Sequence, residues 1–103
     1  MRVIIQTGIY PPAVERIRKT EKEIRRIVGG EPEIRKVKYE YMDEAVGDVL
    51  NNVRVLKRKG LDPHLQETYD APAIFCGETR GGKMRSLTGK EIYCIRRWIF
   101  WYF

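Results

Sequence analysis

A chain of 103 residues has room for one domain and one modest core. With 43% hydrophobic and 33% charged residues it fits a folded globular protein rather than a disordered one, and no apolar stretch approaches the roughly 20 residues a membrane-spanning helix needs. The net charge of +6 favours acidic partners, nucleic acid among them, and its excess sits early: residues 1–60 hold 14 Lys and Arg against 9 Asp and Glu, residues 61–103 hold 6 against 5.

Met1-Arg2 leads directly into Val3-Ile4-Ile5, an apolar run too short for a signal peptide, so a cytoplasmic protein is expected. Arg2 to Ile9 reads as a first strand, rich in β-branched residues and stopped by Pro11-Pro12. Ala13 to Val28 allows two readings. One is a single helix with Pro12 in its first turn. The other, preferred, is a short strand over Val14–Arg18 followed by a helix, because Thr20-Glu21-Lys22-Glu23 is a capping box. Ile24, Ile27 and Val28 supply the apolar stripe, Arg25 and Arg26 suit the last turn, and Gly29-Gly30 supplies a left-handed cap.

Pro32 separates that helix from a strand at Glu33–Tyr41, where Val37, Tyr39 and Tyr41 alternate with Lys36, Lys38 and Glu40. Met42 to Gly47 reads as a connection. Val49-Leu50 and Val53–Leu56 read as two short strands around the turn residues Asn51-Asn52. Lys57-Arg58-Lys59-Gly60 and Leu61-Asp62-Pro63-His64 follow as a surface loop. Ala71–Cys76 is a further apolar strand, and Gly81-Gly82 marks the turn before Met84-Arg85. Thr88-Gly89-Lys90-Glu91 is a second capping box. It opens a C-terminal aromatic helix, residues 88–103, with Ile92, Ile95, Ile99 and Tyr102 on one stripe. The expected fold is one α+β domain over residues 1–103, a small, mostly antiparallel sheet with two short helices on one face.

No catalytic or metal-binding signature stands out. Cys76, Cys94 and His64 are too widely spaced for a zinc site, and the two cysteines read as buried thiols. His64 beside Asp62 allows a general base oriented by an aspartate, but an exposed turn residue is the preferred reading. Gly77–Lys83 looks like a phosphate loop but has Met84 where a hydroxyl would hold magnesium, so a β-turn is expected. The carboxylates Glu31, Glu33, Asp43, Glu44 and Asp48 are interspersed with bases and read as solvated pairs. No cofactor is implied.

Taken in order, several motifs resemble a small family encoded by bacteriophages and plasmids, a domain of unknown function. They are the strand-opening Val3–Ile5, the capped helix Thr20–Ile27 ending in Val28-Gly29-Gly30, and the strand Ile34–Tyr39. Then come the Asn51-Asn52 turn, the Gly60-Leu61-Asp62-Pro63 step, the strand Ala73–Gly77, and Ser86-Leu87-Thr88 leading into a helix. The likeness covers most of residues 1–92. Each motif is turn or cap chemistry, and their order carries the likeness. The chain departs from the pattern in Lys57–Lys59, in Leu65–Tyr69 and in its aromatic end. The resemblance implies a mobile-element context, hence the cytoplasm of an infected or plasmid-bearing bacterium, and brings no catalytic residues.

Two features remain for function. Arg54, Lys57, Arg58 and Lys59 form the densest positive cluster, with Arg35, Lys36 and Lys38 as a second. At the C-terminus, Tyr93, Trp98, Phe100, Trp101, Tyr102 and Phe103 surround Arg96 and Arg97. One stripe of a helix can close a core and the rest must find a partner. The expectation is a non-enzymatic binding protein that occludes a host protein or ribonucleoprotein, such as a component of a CRISPR-type defence. Arg54, Lys57, Arg58, Lys59, Arg96, Arg97, Trp98 and Trp101 are its contacts. The alternatives are direct binding of RNA or single-stranded DNA, a small enzyme using His64, and, as a separate property, a homodimer joined through the C-terminal aromatics. No membrane partner is expected.

Overall fold

The computed structural model describes residues 1–7, 12–37, 44–60 and 72–98, with the backbone alone at Trp98. The strands β1 (Arg2–Gln6), β2 (Ala13–Arg16), β3 (Pro32–Lys36), β4 (Val53–Arg58), β5 (Ala73–Glu78) and β6 (Met84–Arg85) form one sheet. Its order is β2-β1-β5-β4-β3, with β6 beside β5, and every described pairing is antiparallel. The helices are α1 (Glu21–Val28), α2 (Glu44–Leu50) and α3 (Gly89–Trp98). None of them is long and apolar enough to cross a membrane.

The α+β class with an antiparallel sheet is as expected, but the described residues hold three helices, and these cover both faces of the sheet. Strand alternation explains the two layers. Ile4, Val53, Val55, Ala73 and Phe75 point to one face and meet Leu50 of α2 and Cys94 and Ile95 of α3. Val3, Leu56, Ile74 and Cys76 point to the other face and meet Ile24 and Val28 of α1. The central strands are thus apolar on both sides, as in any sheet sandwiched between helices. Each fully buried side chain of Phe75, Ile74 or Leu56 size contributes roughly 1.5–3 kcal/mol.

Local chemistry sets the boundaries. Residues 13–16 form a strand before α1, so the two-element reading of residues 13–28 holds. Thr20 caps α1 through its hydroxyl, which accepts from the Glu23 amide at 3.2 Å, and Gly29 closes the helix at φ +81°. Pro32 belongs to β3 instead of preceding it. It pairs with Arg58 on an edge strand, where its missing N–H costs no ladder bond. β3 is described only to Lys36, and Tyr39 and Tyr41 lie outside the described residues, as do Gly8 and Ile9 of the expected first strand.

The clearest correction is α2. Residues 44–47, read as connection, and Val49-Leu50, read as a strand, form one short helix. Two valines and Gly47 give it poor intrinsic propensity. Packing of Val46, Val49 and Leu50 against the α3 side of the core supplies what propensity does not.

Candidate interaction site

The expected basic loop at Lys57–Lys59 does not exist as such. Lys57 and Arg58 are strand residues of β4, and alternation sends Lys57 to the opposite face from Arg54 and Arg58. Arg54 Nε sits 2.8 Å from Glu78 Oε2, and its Nη1 donates to the carbonyls of Asn51 and Val53 at 2.7 and 3.0 Å. Lys57 is only 8% exposed, with Nζ 3.3 Å from Glu33 Oε2. Glu33 also accepts from Arg35 Nε at 2.8 Å, and Arg35 first, then Lys57, holds its carboxyl below the usual range. Arg58 lies against Gly30 and Gly29, where added Cβ atoms would meet its side chain. Lys59 alone of the four is an exposed residue beyond the strand, and its backbone N–H donates to the Glu31 carbonyl at 2.8 Å. Three of the four expected contacts therefore serve the fold.

On the C-terminal helix the candidates whose side chains are described are Arg96 and Arg97. Ile95 is sealed in the core with Cys94, and Ile92 packs beside them. Tyr93 is 60% exposed, and Arg96 and Arg97 are exposed. Arg97 Nη1 reaches Tyr93 Oη at 3.4 Å, one turn away. Trp98 ends the described helix, and Trp101 lies outside the described residues. Between α2 and α3 runs an open groove of about 410 Å³, lined by Ala45, Val46 and Val49 on one wall and Gly89, Lys90, Tyr93 and Cys94 on the other.

A buried ion pair fixes this helix. Glu91 is 4% exposed. It accepts from Arg85 Nη1 at 2.7 Å and Nη2 at 2.9 Å, and from the Thr88 amide at 2.9 Å. The Thr88 hydroxyl accepts from the Glu91 amide at 3.2 Å, completing a reciprocal capping box. Gly77 makes the approach feasible, because Arg85 lies across it in the space a Cβ would fill. Burial pushes the Glu91 carboxyl up, and Arg85 with Thr88 more than offsets it, so the group stays below its ordinary value. The acid of α3 is thus consumed internally, and its exposed charges are Lys90, Arg96 and Arg97, all positive.

Elsewhere the expectations divide. Gly77–Lys83 includes a turn closed on itself, with Thr79 N–H donating to the Lys83 carbonyl at 2.8 Å and Gly82 N–H to the Thr79 carbonyl at 3.0 Å. Burial pushes the Cys76 thiol up to about 11, far from a nucleophilic thiolate. Cys94 is buried on the other face of the sheet. His64 and Asp43 lie outside the described residues.

One cluster escaped the linear reading. Arg2 and Arg16 are direct cross-strand partners, and Arg18 and Lys19 follow at the same end of the hairpin. The recognisable signal was a strand at each end of a proline turn. Residue types alone leave its register open. No protein-family model matches the chain, and neither a curated protein nor a solved structure matches it.

Proposed function

We propose that this chain is a non-catalytic binding protein that uses α3 and the residues after it to occlude an acidic surface on a macromolecular partner. The observation that carries this reading is the makeup of α3's outer face. Its acid is buried against Arg85, leaving Lys90, Arg96, Arg97 and a largely exposed Tyr93 beside the groove shared with α2. Tyr, Trp and Arg are the residues that dominate binding hot spots, and the chain continues with Ile99-Phe100-Trp101-Tyr102-Phe103. The motif order that resembles a phage and plasmid family supports a host protein or ribonucleoprotein, such as a component of a defence system, as that partner.

Affinity capture from a bacterial lysate, with and without nuclease, compares the native chain with an R96E/R97E variant. A specific protein retained by the native chain after nuclease and lost from the variant supports the reading. Equal capture by both removes α3 from the interface. Two copies joined through Trp98, Phe100 and Trp101 are a further expected contact, and light scattering that reads monomer mass at every concentration would exclude it.

A further inference from the structure

Among the described residues, a second group of exposed cations gathers where the β1–β2 hairpin meets the start of α3. The register sets Arg2 opposite Arg16, so both side chains leave the same face of the strand pair. The ladder continues one residue further, with Ile17 N–H donating to the Met1 carbonyl at 2.9 Å and the Met1 amine to the Ile17 carbonyl at 2.8 Å. Arg18 and Lys19 leave the sheet there. All four cations are exposed, and none enters an ion pair among the described residues. Glu15 pairs with Val3 and so lies on the other face of the hairpin. Glu23, whose carboxyl feels Arg18, is bonded to Arg26 at 2.6 Å. The Arg2 guanidinium donates to the Leu87 carbonyl at 3.0 Å, just before Thr88, the N-cap of α3.

Like charges set directly across a strand pair destabilise it, and among the described residues neither Arg2 nor Arg16 enters an ion pair. A string of phosphates would. We infer that Arg2, Arg16, Arg18 and Lys19 form a contact surface for the phosphate backbone of nucleic acid, separate from the α3 face. Three of the four are arginines, whose planar forks match phosphate oxygens, and the strand pair holds two of them at fixed spacing. Membrane-binding surfaces pair their cations with an aromatic or broad apolar wedge, whereas Val14 is the one large apolar side chain exposed on β2. Phosphate contacts carry no sequence information, so binding through these four cations is sequence-independent.

Fluorescence anisotropy with a labelled mixed-sequence oligonucleotide, single-stranded and duplex, tests this across a salt series. The native chain should bind with a linear fall of log affinity against log salt. An R16E/R18E/K19E variant should lose roughly 100-fold in affinity and about 2–3 units of that slope, near 0.7–0.9 per phosphate contact. The neutral R16Q/R18Q/K19Q variant should show the same flattening, which guards against a folding defect in the reversed one. A control with the same net change placed elsewhere, K59E/R80E/K83E, should shift affinity only a few-fold. Equal losses in the control and the hairpin variant would reduce the effect to net charge and overturn the assignment. Tighter binding to phosphatidylserine vesicles than to either oligonucleotide would overturn it in favour of a membrane surface, and no oligonucleotide binding at low salt would end it.

Discussion

Thr20-Glu21-Lys22-Glu23 and Thr88-Gly89-Lys90-Glu91 carry the same capping signal, yet the two helices use it differently. Both threonine hydroxyls accept from the amide three residues on. On α1 the carboxylate turns outward and bonds Arg26 within its own helix. On α3 it turns inward, bonds the Thr88 amide and takes Arg85 from a neighbouring strand. Burial separates them. Glu23 sits at the surface, where water competes for its oxygens, while Glu91 is enclosed and must find all its partners in the protein. A motif therefore specifies the helix start, and the surroundings decide whether its acid is a structural clamp.

The difference should be measurable. Replacing Glu91 with Ala should cost most, about 3 kcal/mol in chemical denaturation, because it strands the Arg85 guanidinium and opens the cap. Gly77→Ala should follow at about 2 kcal/mol. Its new methyl group would occupy the path of Arg85, and the loss should be much smaller in an R85A background, since the two changes act on one contact. Thr88→Ala and Thr20→Ala should each cost about 1 kcal/mol, the ordinary value of a lost cap. Glu23→Ala should cost least, as the loss of a solvated surface pair does, and a loss as large as that of Glu91→Ala would erase the contrast between the helices.

The pH dependence sharpens the same contrast. Because the Glu91 carboxyl is held low in the folded chain, its stabilisation is complete above the unfolded value of about 4.3 and fades as pH falls through the lowered folded value. The stability gap between the native chain and E91Q should be constant near neutrality and narrow only below about pH 4. A gap that narrows nearer pH 7 would mean that the clamp is not a carboxylate–guanidinium pair.

Both caps, the glycine end of α1 and the Gly81-Gly82 turn were legible because each is a contiguous signal of a few residues. α2 was not, since Gly47 and its valines argue against a helix and only tertiary contact with α3 overrides them. The second helical layer was hidden for a related reason: Val53-Arg54-Val55-Leu56 reads as a strand without revealing that both of its faces are covered. For the candidate surfaces the lesson reverses. Arg54, Lys57 and Arg58 are close in sequence, and the strand divides them between two faces and several structural tasks. Arg2 and Arg16 are far apart in sequence, and the hairpin brings them together. The exposure of Arg96 and Arg97 was legible because a helix of fixed period cannot turn every residue inward.

The two thiols give the molecule a built-in pair of clocks. Cys76 lies on β5 beneath α1, and Cys94 belongs to α3 and packs toward the opposite face of the sheet, on the wall of the α2–α3 groove. Under native conditions an alkylating reagent would mark Cys94 each time the α3 layer lifts and Cys76 each time the α1 layer does, so mass spectrometry of the singly labelled species would time the opening of each layer on its own. Arg85→Ala, which unfastens one side only, should speed the first clock and leave the second nearly unchanged.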